Sequence, residues 1–424
     1  MLETAIVSGL LYQAALIAGS VLVLLELRLL LVTGRFTTSI THLLSSPFQE
    51  TPVDEQPILA WVEDQRATID FSFFDIPRPP LQKRLELRAR ANRRLHLAFG
   101  IANSLTTALP ETHKSFMKEA SRVINAGDNM RWVELYDLAE LHLGRDAESA
   151  ENLLHLADCT QRLCLTIVLF DNFKVDPRDT PPEVSSFIAS EINKQWLRSK
   201  GDEMTQESSD LNQALRGLGL RGEDGCPMAP QRVLGLIMPQ YETLWRVVLL
   251  TFVTAYHRQA RPENVERVRT VPQCLGNTEQ EAEAVKLAKE GLRLYPSNKR
   301  IYRALMTSVC LPFSADVEAC HRHERIWGPD ALEFRPERFD RLSKLQVRAY
   351  FPYSLGQHRC PAYAGFGNRM ITMLVVAMSR VFSEKDWMVW FDDDSLDKCS
   401  RKTLPTGRDD MGRWLLRRRT GAGR

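Results

Sequence analysis

The chain carries almost no net charge. Its 55 lysines and arginines nearly balance 53 aspartates and glutamates, which leaves a formal charge of +2 at pH 7. A charge of that size produces no global field that attracts nucleic acid, so the composition argues against a nucleic-acid partner. Charged residues make up 25% and apolar residues 44%, as in ordinary globular proteins. With 424 residues the chain is long enough to bury one large core or two domains.

The chain also lacks a cysteine framework. Its eight cysteines follow no spacing that is typical of disulfide scaffolds, which favours a reducing compartment. Cys159 and Cys164 are five positions apart on a predicted helix, and we expect both in the core. Cys320, His321 and His323 lie close together, but no second ligand pair follows at a zinc-like spacing. No internal repeat or low-complexity tract is present. The pattern therefore argues against a zinc module and a repeat protein.

The first long apolar run lies at the N-terminus. Residues 5–25 carry no charge, and a helix of that length spans a bilayer. No small-residue cleavage site follows, which favours a retained anchor over a cleaved signal peptide. Arg28 and Arg35 follow the run and Glu3 precedes it, so the positive-inside rule places the rest of the chain in the cytosol. The alternative is a buried core helix.

The segment at residues 351–362 reads FPYSLGQHRCPA. Here Cys360 follows a turn that contains a glycine, and it precedes an apolar helix predicted at residues 370–382. Backbone N–H groups at a helix N-terminus stabilise a thiolate. Such a sulfur suits a haem iron as an axial ligand. The alternative is that Cys360 is a small buried apolar side chain.

This loop resembles the haem-binding loop of cytochrome P450, whose pattern is Phe-x-x-Gly-x-Arg-x-Cys-x-Gly. Tyr353 stands at the aromatic position, Gly356 at the first glycine and Cys360 at the ligand. His358 replaces the arginine, and it still offers a donor to a haem propionate. Ala362 replaces the last glycine and is small enough to lie close to a porphyrin. The resemblance thus departs from the pattern at three positions.

Two further segments resemble the same family. Glu290 and Arg293 are three apart and share a helix face that ends at Pro296. Their apolar neighbours predict burial, and a buried ion pair must be well satisfied. This resembles the Glu-x-x-Arg helix of the family, and residues 334–339 resemble its Pro-Glu-Arg-Phe element. The resemblance implies that Arg338 joins the pair in a structural triad behind the haem.

Residues 234–253 predict a long apolar helix that contains Pro239. Within it, Glu242 and Thr243 match the acid and the threonine of the oxygen-activating motif, while Pro239 and Gln240 replace its two small residues. A proline kinks a helix, and we expect the kink to open a groove over the iron. The resemblance implies that Glu242 and Thr243 hold water and relay protons. The alternative is a buried threonine beside a surface glutamate.

The resemblance also implies cationic partners for the haem propionates. Residues 81–99 predict a basic helix without the tryptophan that the family usually has, and Arg93 or Arg94 is the candidate there. That helix could instead face lipid headgroups or an acidic reductase. Arg303 is the second candidate, with Arg300 as its rival.

The implied fold is mainly α with a small β region, in which the haem lies between the long central helix and the Cys360 loop, preceded by a transmembrane helix. Strands are expected within residues 297–319, and an exposed polar loop within 201–225. The expected divisions are an anchor (1–36), a linker and the start of the catalytic domain (37–80), the catalytic domain (81–412) and a solvated basic tail (413–424).

The implied activity is that of a monooxygenase with haem b, which receives electrons from NADPH through a cytochrome P450 reductase. Its substrate would be hydrophobic. The protein would be located in the endoplasmic reticulum membrane, with the catalytic domain in the cytosol. Likeness to fungal members around His321 and Cys360 suggests terpenoid or polyketide-like secondary metabolism. Three alternatives stay open: a haem-thiolate dehydratase or isomerase that does not use oxygen, a degenerate non-catalytic relative, and a membrane-tethered basic interaction protein.

Overall fold

The structure is a computed structural model that describes residues 55–70, 79–125, 129–201, 205–258, 263–264, 278–304, 312–396 and 403–419. The predicted membrane anchor and most of the predicted linker lie outside these residues. Contacts divide the chain into a short unit that ends at Ala60 and a larger unit from Trp61 to Arg424. The core and the candidate site belong to the larger unit.

The described chain is mainly helical and has two small sheets, as the sequence predicted. The helices are α1 (Glu55–Asp70), α2 (Leu81–Ala91), α3 (Arg93–Phe99), α4 (Pro110–Asn125), α5 (Asn129–Ser149), α6 (Leu156–Phe173), α7 (Pro182–Arg198), α8 (Ser209–Gly217), α9 (Pro230–Phe252), α10 (Thr278–Leu294), α11 (Val317–Arg322), α12 (Glu324–Trp327), α13 (Lys344–Ala349) and α14 (Phe366–Val381). The strands are β1 (Leu153–His155), β2 (Arg300–Ala304), β3 (Pro312–Asp316), β4 (Trp387–Trp390) and β5 (Leu415–Arg418).

The core lies where α5, α6, α9 and α14 pack on one another. Helix α6 comes from a nearly continuous apolar run, so it buries residues on every face. Trp245 and Phe252 of α9 are fully buried there. Each large apolar side chain removed from water contributes about 1.5–3 kcal/mol. This burial makes α9 the central helix of the fold.

Helix α9 continues into a π-helical turn, Val253–Arg258, and together they are apolar and long enough to cross a bilayer. However, 72% of its apolar stretch is buried inside the protein. The buried core helix of a globular protein can be as long and as apolar as a membrane span. The packing therefore favours a core helix here.

Pro239 lies inside α9 and has no N–H to donate to the carbonyl of Gly235. Asn103 Nδ2 donates to that freed carbonyl oxygen at 2.8 Å, and the Asn103 side chain is buried. The hydrogen bond that the proline removes is thus replaced from the segment after α3. This contact fixes that segment against the central helix.

Helix α10 approaches α9 closely at Gly291. A Cβ added at Gly291 would lie 2.0 Å from Thr251 Oγ1, so only glycine allows this separation. Glycine inside a helix costs about 0.5–1 kcal/mol relative to alanine. The close contact between the two helices is the reason that this cost is tolerated.

The C-terminal segment corrects one prediction. The solvated basic tail expected from residue 413 instead contains β5, the central strand of an antiparallel sheet in the order β1–β5–β4. Trp414 and Leu416 are fully buried in this arrangement. Burial of their apolar side chains outweighs the presence of Arg417 and Arg418, which are exposed. The predicted strands within 297–319 are present as the β2–β3 hairpin.

The expected exposed loop at residues 201–225 also needs correction, because it contains helix α8. Ser208 caps this helix, and its side chain accepts a hydrogen bond from the N–H of Leu211 at 3.3 Å. Leu211 and Leu215 are four apart and both buried. A cap and one apolar face therefore suffice to form the helix within a polar segment.

Candidate functional site

Two short helical turns, Gly356–His358 and Pro361–Ala364, flank Cys360. The N–H of Cys360 donates to the carbonyl of Tyr353 at 2.9 Å, which closes the loop on itself. Gly356 has a φ of +66°, and a Cβ there would lie 1.8 Å from Asp70 Oδ1. Both facts require glycine at this position. Helices α4 and α14 pack on the turn after Cys360 and hold it in place.

Cys360 combines exposure with desolvation. The residue has accessible surface, yet the surrounding protein atoms raise the pKa of its thiol by burial. The backbone N–H of Ala362 and the charge of Arg88 act in the opposite direction and lower that pKa. The Cys360 thiol is therefore accessible to a ligand, although protein atoms surround much of its side chain.

Arg88 of α2 is close enough to Cys360 for the two charges to affect each other. Its side chain is half-buried, and burial lowers the pKa of its guanidinium to about 10, while Cys360 opposes this shift. Arg88 Nη1 donates to Ser104 Oγ at 3.2 Å, and Ser104 Oγ lies 2.7 Å from His113 Nδ1. The His113 ring is 6.4 Å from that of His358. Polar groups from α2, α4 and the Cys360 loop thus meet at one site.

The donor set fits a haem. Among the described residues, Arg88 has a hydroxyl partner in Ser104 and no carboxylate within ion-pair distance. Burying a cation is costly unless it is paired. A flat cofactor with an iron at its centre and carboxylates at its edge would satisfy both Cys360 and Arg88. The ring of His358 packs near that of His113.

The sequence reasoning missed Arg88, Ser104 and His113. A signal was present, because Leu81, Arg84, Leu85 and Arg88 follow the i, i+3, i+4, i+7 spacing of one helix face. Two arginines on the apolar face of a helix indicate buried cations.

The predicted propionate partners have other contacts in the structure or have side chains outside the described residues. Arg94 Nη1 donates to Ser199 Oγ at 2.6 Å, and its guanidinium stacks 4.6 Å from the Trp196 ring centre, so these contacts do not bring it to Cys360. Its alternative, Arg93, is exposed. Arg303 belongs to β2, but its side chain lies outside the described residues. Its rival Arg300 pairs with Asp316.

Glu242 is buried in α9 and forms an ion pair with Arg408. Burial raises the pKa of the Glu242 carboxyl, while Arg408 and Arg246 oppose this shift. The neighbouring Thr243 is half-buried, and its hydroxyl donates back to helix carbonyls, at 3.3 Å to Pro239 O or 3.2 Å to Gln240 O. The two predicted relay residues are therefore adjacent, and both are engaged within the protein.

Glu290, Arg293 and Arg338 meet in the interior. Arg293 donates from Nε to Glu290 Oε2 at 2.7 Å and from Nη2 to Glu290 Oε1 at 2.8 Å, and both side chains are fully buried. Arg338 Nε lies 3.5 Å from Glu290 Oε1. Arg293 Nη1 also donates to the carbonyl of Ala331. A buried pair is stable when its remaining donors are satisfied, as they are here. The cluster joins α10 to the segment that leads to the Cys360 loop.

The other cysteine predictions concern the core. Cys159 and Cys164 are buried, as expected, and burial raises the pKa of both thiols well above the usual value. Burial therefore favours the neutral thiol at both positions. The described part of the chain contains no group of three or more His, Cys, Asp or Glu side chains that could hold a metal ion.

No family model matches the chain. Cytokinin hydroxylase of Arabidopsis thaliana is 24% identical over 316 residues, which is 67% of this chain and 62% of that protein. Cytochrome P450 72A397 of Kalopanax septemlobus is 28% identical over 162 residues, 33% of this chain and 31% of that protein. Cytochrome P450 CYP72A613 of Trigonella foenum-graecum is 34% identical over 137 residues, 28% and 25% of the two chains.

The chain thus spans 62% of the cytokinin hydroxylase and 31% of the first P450 72A protein. Among solved structures, cytochrome P450 OleT in complex with arachidonic acid has a TM-score of 0.48 at 15% identity, covering 78% of this chain and 83% of that chain. The curated relatives, from several plants and from Bacillus subtilis, support the cytochrome P450 family for this chain.

Proposed function

We propose that this chain is a haem-thiolate monooxygenase in which the Cys360 sulfur would bind the iron of haem b. One observation carries the proposal: the accessible but desolvated thiol of Cys360 lies within electrostatic range of Arg88, for which the described residues show no carboxylate partner. The loop around Cys360 resembles the family pattern. Relatives named cytokinin hydroxylase and 11-oxo-beta-amyrin 30-oxidase support an oxidative activity.

Bound haem would supply the activation of oxygen, with one oxygen atom entering the substrate and the other leaving as water. The residues of the chain would divide the remaining work. Burial raises the pKa of the Cys360 thiol, so the sulfur would become a thiolate when the iron replaces its proton, and the Ala362 N–H and Arg88 would stabilise that charge. Arg88 and His358 would hold the cofactor carboxylates, with Arg303 as a further candidate from β2.

Glu242 and Thr243 remain the proposed proton relay. Burial raises the pKa of Glu242 and so increases its affinity for a proton near neutral pH. Thr243 does not titrate usefully and would act through hydrogen bonds. Glu290, Arg293 and Arg338 would hold the fold behind the cofactor without touching substrate.

The proposal extends to partners and location. Electrons would come from NADPH through a cytochrome P450 reductase, and the substrate would be hydrophobic. The N-terminal apolar run would anchor the protein in the endoplasmic reticulum membrane with the catalytic domain in the cytosol. A role in fungal secondary metabolism, on a terpenoid or polyketide-like substrate, stays a prediction from sequence likeness.

The test is the spectrum of the reduced protein with carbon monoxide. A thiolate-ligated haem absorbs at roughly 450 nm in this state, and we expect that band from the wild-type protein. Cys360→Ala should abolish it. Cys226→Ala is the matched control, because Cys226 is an exposed cysteine on a separate turn, and it should keep the band. A wild-type protein without the band, or a C360A protein with it, would contradict the proposal.

A second candidate function is a haem-thiolate dehydratase or isomerase that does not use oxygen. The ion pair between Glu242 and Arg408 favours it, because a carboxylate held by an arginine is less free to deliver protons. Turnover of a hydroperoxide or another oxygenated substrate without NADPH would identify this class. Turnover that requires NADPH and a reductase would identify the monooxygenase.

A further inference from the structure

The side chain of His321 is fully buried between two segments of the candidate site. It belongs to α11. Its Nε2 lies 3.1 Å from the backbone N of Phe351, and its Nδ1 lies 3.3 Å from the carbonyl oxygen of Leu292 in α10. One ring therefore contacts both the helix of the Glu290–Arg293 pair and the start of the Cys360 segment.

The two contacts assign the tautomer of His321. A backbone N–H only donates, so Nε2 must present a lone pair to Phe351. A carbonyl oxygen only accepts, so Nδ1 must carry the hydrogen toward Leu292. Only the neutral imidazole satisfies both contacts at once. In an imidazolium, Nε2 would also carry a hydrogen, which would point at the backbone N–H of Phe351.

The surroundings preserve the neutral ring. Arg293 of α10 and Arg322 of α11 are the charged groups that act on His321, and with burial they lower its pKa to about 3. From the third side, the rings of Tyr350 and Phe351 pack on it, with centre distances of 5.3 and 5.6 Å. The ring is therefore neutral throughout the physiological pH range.

A short chain of contacts leads from His321 to the sulfur. The carbonyl of Phe351 accepts from the N–H of Ser354 at 3.1 Å and so forms a turn. Within that turn, the carbonyl of Tyr353 accepts from the N–H of Cys360 at 2.9 Å. Fixing the backbone at Phe351 thus fixes the turn that holds Cys360.

We infer that His321 is a positioning residue for Cys360: its neutral ring joins α10 to the backbone at Phe351, and through the turn at 351–354 it sets the position of the sulfur. The inference rests on the proposed function for the role of the sulfur as a haem ligand. The hydrogen bond itself does not depend on that role.

The test compares His321→Gln with His321→Phe in the full-length protein. Glutamine supplies one donor and one acceptor, whereas phenylalanine keeps the ring packing and removes both. We expect H321F to exchange the Phe351 amide hydrogen about tenfold faster or more, the equivalent of one buried hydrogen bond. We also expect H321F to lose much of the reduced carbon monoxide band at roughly 450 nm, as thiolate ligation is lost. H321Q should stay close to wild type in both measurements.

The inference would be overturned if H321F kept the wild-type exchange rate at Phe351 and the wild-type band. It would also be overturned if H321F and H321Q lost the band and the slow exchange equally, since that result indicates that only the shape of the ring matters. If H321F does not accumulate, His321→Met offers a similar volume without a strong donor or acceptor for the same comparison. Failure of the proposed function can be told apart from failure of this inference. If the wild-type protein shows no band at roughly 450 nm, amide exchange at Phe351 still compares H321F with H321Q.

Discussion

Glu242 of the central helix and Arg408 of the C-terminal segment form an ion pair whose side chains are only 3% and 4% exposed. The Arg408 guanidinium also stacks 4.4 Å from the ring centre of Trp196 in α7. One contact thus joins α9, α7 and the segment after residue 403. The pair lies beside Thr243, so it links the packing of the C-terminus to the candidate proton relay.

Arg408→Gln should destabilise the protein strongly. It leaves the Glu242 carboxylate buried without a cation, and breaking a buried pair in this way costs about 3–5 kcal/mol. Urea unfolding followed by tryptophan fluorescence gives the change in the free energy of unfolding. Arg413→Gln is the control, because Arg413 is exposed, and it should change stability by less than about 0.5 kcal/mol. Equal effects of the two substitutions would show that the pair contributes nothing specific.

Arg88→Gln should weaken retention of haem, whereas Arg94→Gln should not. Arg88 acts electrostatically on Cys360, while Arg94 contacts Ser199 and Trp196. A charge-assisted hydrogen bond contributes about 1.5–3 kcal/mol, so haem transfer to apomyoglobin should accelerate about ten- to a hundredfold in R88Q. Faster loss from R94Q than from R88Q would restore the original prediction for Arg94 and exclude the role given to Arg88.

Gly291→Ala should disrupt the contact between α10 and α9. The new methyl group would lie 2.0 Å from Thr251 Oγ1, and forcing extra volume into a packed core costs about 1–3 kcal/mol. Thr251→Ala should partly rescue the variant in a double-mutant cycle on the free energy of unfolding. Gly217→Ala is the matched control, because a Cβ at that helix position meets nothing within 4 Å. A G291A protein as stable as G217A would mean that the helices are not packed as described.

Two buried histidines should make the protein less stable in acid. Burial lowers the pKa of His321 to about 3 and of His142 to about 4, below the ordinary value of 6.5. As the pH falls below 6.5, the unfolded chain binds protons that the folded chain does not, so the free energy of unfolding decreases until the folded-state pKa values are reached. Above pH 6.5 these two groups cause no further change.

Urea midpoints measured from pH 8 to pH 4 would show this decrease. The change of the midpoint with pH should be smaller in H321Q, which removes one of the two titrating groups. An H321Q protein with the wild-type slope would show that His321 does not titrate with a lowered pKa.

The sequence by itself determined the elements with strong local signals. The apolar run before residue 382 predicts a helix, and α14 is present at Phe366–Val381. The spacing of Glu290 and Arg293 predicts one helix face, and apolar neighbours predict its burial; both side chains are fully buried. These outcomes depend on helix periodicity and hydrophobic burial, which residues close in the chain decide.

Only the tertiary structure decided the pairings between distant residues. Arg408 lies far from Glu242 in the chain, as Arg88 does from Cys360, and no local pattern relates either pair. Strand β5 shows the same limit, because its run of arginines resembles a solvated tail until β1 and β4 pair with its backbone on either side. The physical reason is that packing brings such groups together after the helices have formed, and the cost of burying each charge then depends on the partner that the fold supplies.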